Sequence, residues 1–158
     1  MSIAAVGSSP LAMQLPSLFD TEPGKAVTLA DLTSFAEKKL DTFSRQFEAL
    51  LEANGIDTST PITLDHAFGS GRVVVTNDHP QAGQIDDLLG QDFELCNTYT
   101  AATSALEIAK QGEEHSRFAK AYAQDPQMAV AQFSHFLSTH WDVQVAFSQD
   151  GYKVGYSN

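Results

Sequence analysis

The chain has 158 residues, 42% of them apolar and ten of them Phe, and a formal net charge of −11 from 9 Lys and Arg against 20 Asp and Glu. A chain of this length fits one domain with at most an appendage, and it buries roughly 68–70% of the surface exposed on unfolding without needing staples. The acidic balance and scattered cations argue against a phosphate-backbone binder. The single Cys96 excludes an internal disulfide or a cysteine-based zinc site, and no apolar run reaches the roughly 18 residues of a membrane span.

Residues 1–26 read as a flexible lead, and 27–158 as one globular domain. The lead holds Gly7, Ser8, Ser9, Pro10, Pro16 and Pro23 and carries no charge before Asp20. A Sec-type signal needs a basic stretch before its apolar core, and none is present. A cytoplasmic location is expected, with export through a specialised secretion or flagellar-type apparatus as the alternative.

Residues 20–31 resemble a degenerate EF-hand loop, with Asp20 at its first position and Asp31 at its twelfth. Gly24 and Lys25 stand where a ligand and the turn glycine belong, and Asp31 is shorter than the bidentate Glu of such loops. A helix start explains the same residues with fewer assumptions: Thr28 as N-cap with Asp31 completing a capping box.

Leu32, Ala36, Leu40, Phe43, Phe47 and Leu50 then recur at helical spacing to about Ala53, and Asn54-Gly55 ends the helix with Ile56 folding over it. Residues 61–77 alternate across Phe68-Gly69-Ser70-Gly71 and predict a β-hairpin. Asn77-Asp78-His79-Pro80 predicts a helix capped by Asp78 or His79 with Pro80 in the first turn, carrying Ile85, Leu88 and Leu89 inward. Asp92 caps a longer helix with Cys96, Tyr99, Thr103, Leu106 and Ala109 inward. Gly112 is expected to bend or break it before Phe118, Ala119 and Tyr122. Asp125-Pro126 opens another helix with Val130, Phe133, Phe136 and Leu137 inward. After His140 the period becomes two, giving a second hairpin turning at Asp150-Gly151.

Helix, hairpin, helices and hairpin in that order predict an α+β fold: two antiparallel hairpins joined in one small sheet, covered on one face by four to five helices. The heptad-like stripe of the first helix fits a monomer core, the commoner outcome for an amphipathic helix, with packing across a homo-oligomer as the alternative.

No contiguous motif names a reaction. Ser70 lacks the spacing of a nucleophile elbow, and Cys96 falls on an inward helical stripe. His135 and His140 are five apart, which turns them off a common helical face. His66 and His79, with Asp78, flank the second strand and form the one conceivable polar or metal site. Trp141, Tyr152 and Tyr156 on the C-terminal hairpin are candidate contact residues, because Tyr and Trp are enriched at binding hot spots.

The expectation is therefore a non-enzymatic protein-interaction module with a protein partner and no cofactor. The alternatives are an enzyme with a non-contiguous site at His66, Asp78 and His79, or an acidic mimic of nucleic acid presenting phosphate-like carboxylates.

Overall fold

The computed structural model describes residues 26–135 and 140–158. Residues 1–25, and with them all but the last residue of the lead and the first half of the EF-hand-like loop, lie outside the described residues, as do Phe136 and Leu137. Among the described residues the elements are α1 (Leu29–Ala53), β1 (Ile62–His66), β2 (Val73–Val75), α2 (Ala82–Gln91), α3 (Phe93–Gln124), α4 (Pro126–Gln132), β3 (Asp142–Ser148) and β4 (Gly151–Ser157).

Helix α1 begins as its sequence dictates. The Asp31 backbone N–H donates to Thr28 Oγ1 at 3.2 Å, while the Thr28 backbone N–H donates to the Asp31 carboxylate at 2.8 Å. This reciprocal capping box commits the Asp31 side chain to the helix start. The other end closes with the Ile56 N–H on the Leu51 carbonyl (3.0 Å) and Gly55 in the left-handed region at φ 65°, so Ile56 folds back buried. The inward stripe runs through Leu32, Ala36, Leu40, Phe43 and Phe47 to Leu51. Leu50, expected inside, is half-buried, because 3.6 residues per turn carry the stripe one position on by the helix end.

The two hairpins join through β1 and β3, giving an antiparallel sheet of order β2-β1-β3-β4. Strand alternation aims Ile62, Leu64, Val73, Val143, Val145 and Phe147 at the helices, all of them buried. The opposite face carries Thr63, Asp65, Gln144, Ala146, Lys153 and Gly155, half-buried or exposed. Helix α2 lies beside edge strand β2, where Asp86 Oδ1 accepts the Val75 N–H at 2.8 Å and satisfies a donor the sheet leaves open.

Helices α1 and α3 supply the covering layer. Phe43 packs on Phe47, Tyr99 and Phe147 with ring centroids 5.2 Å away in each case. The Tyr99 hydroxyl crosses to the sheet and donates to the Leu64 carbonyl at 2.7 Å. Burial, followed by the charge of Asp65, pushes that hydroxyl far above its ordinary pKa, which favours the protonated, donating form.

Three expectations are corrected. Helix α2 starts at Ala82 with Gln81 as its N-cap residue and no side-chain cap. His79 instead accepts the Gln81 N–H on Nδ1 at 3.1 Å, closing a turn that places Pro80 before the helix. Gly112 does not break α3, which runs unbroken for 32 residues. A Cβ there would stand 2.5 Å from Leu29 Cδ2, so the glycine lets the start of α1 lie close against α3. Cys96 is half-buried, and the inward stripe of α3 is Leu95, Tyr99, Ala102, Thr103, Ala105, Leu106 and Ala109. The stripe is wide because α3 meets α1 on one side and the sheet on the other.

Tyr99→Phe removes one buried hydrogen bond without changing packing volume. It is expected to lower unfolding free energy by about 1–2 kcal/mol, read from urea midpoints at constant slope; an unchanged midpoint would show that the bond to Leu64 contributes nothing.

Candidate functional site

His66 and His79 are held at opposite ends of the first hairpin. His66 closes β1 opposite Val73, where its Nε2 lies 3.0 Å from Thr100 Oγ1 and its ring 5.4 Å from that of Tyr99. Burial holds His66 below its ordinary pKa, against the upward pull of Asp65 and Asp142. His79 is buried beyond the far end of β2, with Nε2 3.0 Å from the Asp57 carbonyl. Asp78 beside it is exposed. The four residue steps of β1 alone separate the two histidines by about 13 Å, so the structure joins Asp78 to His79 by adjacency but brings neither to His66. Among the described residues no group of three or more His, Cys, Asp or Glu is placed to hold a metal ion.

The C-terminal aromatics do assemble, and they do so against the helices. Lys110 of α3 has its Nζ 5.1 Å from the Trp141 ring and 5.5 Å from the Tyr156 ring, a cation held between two aromatic faces. Tyr152 packs on Phe147 and donates its hydroxyl to Asp41 Oδ1 at 3.1 Å, with burial first and Asp41 second raising its pKa to about 12. Trp141 and Tyr152 are thus half-buried in internal contacts, and Tyr156 stays partly exposed.

The two nucleophile candidates are also placed. Ser70 Oγ accepts the Arg72 N–H within the hairpin loop, at 3.4 Å. The Cys96 thiol donates to the Leu89 carbonyl at 3.1 Å, and burial, followed by the charge of Asp92, pushes its pKa up. A thiol held protonated in this way is a poor nucleophile.

Two exposed apolar side chains, Tyr122 and Val130, are ones that periodicity had placed inside. At about 1.5 Å per residue the 32 residues of α3 extend roughly 48 Å, whereas its buried positions end at Ala109. Beyond Gly112 the stripe continues as Phe118 and Tyr122. There Asp125 caps α4, its Oδ1 accepting the Gln127 and Met128 N–H groups at 3.0 Å each, and turns the chain back along α3. Phe118 meets Tyr122 at 5.6 Å and Phe133 edge-on at 5.8 Å, and Ala129 is buried between the helices. This arm has a small aromatic core of its own and leaves Tyr122 49%, Met128 65% and Val130 54% exposed. The inward positions expected for Tyr122 and Val130 are therefore corrected: the distal stripe meets α4 and not the main core. Met128 and Val130 lie on either side of the buried Ala129, some 200° apart around α4.

The arm is balanced in charge in a chain of net charge −11: Lys110, Arg117 and Lys120 stand against Glu113, Glu114 and Asp125, and Arg117 Nη1 pairs with Glu114 Oε1 at 3.2 Å. Carboxylates are instead numerous on α1, where Glu37, Asp41, Glu48 and Glu52 are exposed, and around the start of β3. At that second place Glu107 of α3 is half-buried; burial raises its pKa, Asp142 and Asp65 add to the shift, and His140 and the Val143 N–H oppose it.

Among the described residues no helix is long and apolar enough to cross a membrane. Comparison with protein-family models, curated proteins and solved structures finds no match to this chain.

Because the folded pKa of Glu107 is raised, the stability linked to that proton is fully present below about pH 4.5, the ordinary value, and is lost as pH rises through the folded value. Glu107→Gln is expected to match the parent at pH 4 and to exceed its Tm by about 1–2 °C at pH 7, a small gain because the group is partly solvated. Equal Tm values at pH 7 would refute the assignment.

Proposed function

We infer that this protein is a non-enzymatic interaction module that docks a partner protein on the arm formed by the distal half of α3 and by α4. The observation that carries this reading is the concentration of exposed apolar side chains, Tyr122, Met128 and Val130, on a projection held together by its own aromatic contacts. Each flank of α4 thereby offers a partner an exposed apolar side chain.

The partner's chemistry follows from the arm's apolar flanks and balanced charge. With Arg117 paired to Glu114, and Lys110, Arg117 and Lys120 balanced by Glu113, Glu114 and Asp125, the arm favours an amphipathic helix through its apolar stripe and repels acidic flanks less than the rest of the chain does. The remainder of this chain, dense in carboxylates, repels such a segment and directs it to the arm. The C-terminal hairpin contributes Tyr156 as a further exposed aromatic, whereas Trp141 and Tyr152 support the helices from within.

Met128→Asp and Val130→Asp, made separately, place a charge on either flank of α4 without touching the main core. At least one is expected to weaken partner capture tenfold or more while circular dichroism stays unchanged, and the sensitive variant identifies the docking flank. Light scattering on the full chain separates a second copy of this protein from a different partner. Full capture by both variants would remove the arm from the reading.

A further inference from the structure

A second surface lies at the opposite end of α3, where the hairpin loop meets the α2–α3 junction. The loop is closed by the Ala67 N–H on the Arg72 carbonyl (2.7 Å) and the Gly71 N–H on the Ala67 carbonyl (3.0 Å). Between the loop and the helices is a cleft of about 280 Å³. Val73 and Leu89 contribute apolar lining, Asn97 and Thr100 are polar groups along α3, and Phe93 is 80% exposed at its margin.

Arg72 lines this cleft, and its guanidinium rests on the last turn of α2. A Cβ on Gly90 would stand 2.7 Å from Arg72 Nη2, so the absence of a side chain at position 90 makes the seat. The carbonyl end of a helix favours a cation, which holds the group in place. Among the described residues no hydrogen bond or ion pair engages this guanidinium, although the chain has 20 carboxylates for 9 Lys and Arg. An arginine therefore stands with its fork of N–H donors unused at a cleft with apolar walls and an exposed Phe.

We propose that the cleft binds a carboxylate borne on a single large apolar group, of the size of one amino-acid residue. The planar guanidinium matches a carboxylate through two parallel N–H···O bonds. Asn97 and Thr100 offer further polar contacts; the Thr100 hydroxyl is already positioned by His66 Nε2 at 3.0 Å. Phe93, Val73 and Leu89 receive the apolar body. The volume lies just below the range for drug-sized ligands, which limits the occupant to about one residue. A free acylated amino acid and the terminal residue of a peptide share this chemistry. The site is separate from the arm and does not depend on the arm's role.

The test is calorimetric titration of the full chain with three probes: N-acetylphenylalanine, its carboxamide, and a tetrapeptide ending in Phe with a free carboxylate. At least one carboxylate probe is expected to bind, and the carboxamide at least tenfold more weakly than N-acetylphenylalanine if that probe is the one bound. Binding of the tetrapeptide alone, lost when its terminus is amidated, would identify a chain terminus as the source. Arg72→Ala, at an exposed side chain, is expected to cost tenfold or more with an unchanged melting temperature, and Arg72→Lys to restore part of the loss. Gly90→Ala is expected to weaken binding with Arg72 still present, by displacing the guanidinium from its seat. No binding by either carboxylate probe, equal binding of the amidated forms, or undiminished binding by Arg72→Ala would each overturn the proposal.

Discussion

The Phe43 ring is the point on which the layers of this structure depend. It belongs to α1 and lies 5.2 Å from Phe47 of the same helix, Tyr99 of α3 and Phe147 of β3. One side chain thereby fixes the distance between the two long helices and their height above the sheet. Tyr99 adds direction through its hydroxyl on the Leu64 carbonyl, since a hydrogen bond into a strand tolerates little sliding. Aromatic packing sets the spacing of α1, α3 and the sheet, and the buried polar contact sets their register.

That arrangement decides where function can reside. The helix-covered face of the sheet is filled at its centre by Leu64, Val143 and Val145, and a cavity of about 330 Å³ remains at its margin between α1 and the β3–β4 turn, lined by Phe47, Leu51, Ile62 and Phe147. Further open surfaces lie where α3 outruns its neighbours. One end projects beyond Ala109 and carries the arm; the other begins beside the hairpin loop and forms the Arg72 cleft. A single 32-residue helix connects the two and is braced in its middle by the core.

Charge sharpens the distinction between these surfaces and the rest of the protein. A net charge of −11 gives most of the molecule a negative field, which limits non-specific association. Against that field the arm is near neutral, with Arg117 paired to Glu114, and Arg72 at the cleft is a local exception. The remaining polar groups are largely used in building the fold. Asp31, Asp92 and Asp125 cap helices, Asp86 covers a strand edge, and Lys110 is clasped between Trp141 and Tyr156.

The sequence by itself determined the local events. Thr28 with Asp31, Asp92, and Asp125 with Pro126 start helices because a short polar side chain satisfies free N–H groups wherever it precedes a helical stripe. Asn54-Gly55 stops one because glycine accepts a left-handed residue. Period-two runs predict the four strands and their pairing into hairpins. What the tertiary structure decided is which neighbour each apolar stripe meets. Leu95 and Ala102 are buried because α3 is enclosed on two sides, whereas Tyr122 and Val130, spaced just as regularly, extend past the core. Periodicity reveals that a helix has an apolar face but not what covers it. Likewise Gly112 looks like a break in a linear reading, and only the approach of Leu29 shows that it makes room for a side chain distant in sequence, as Gly90 does for Arg72.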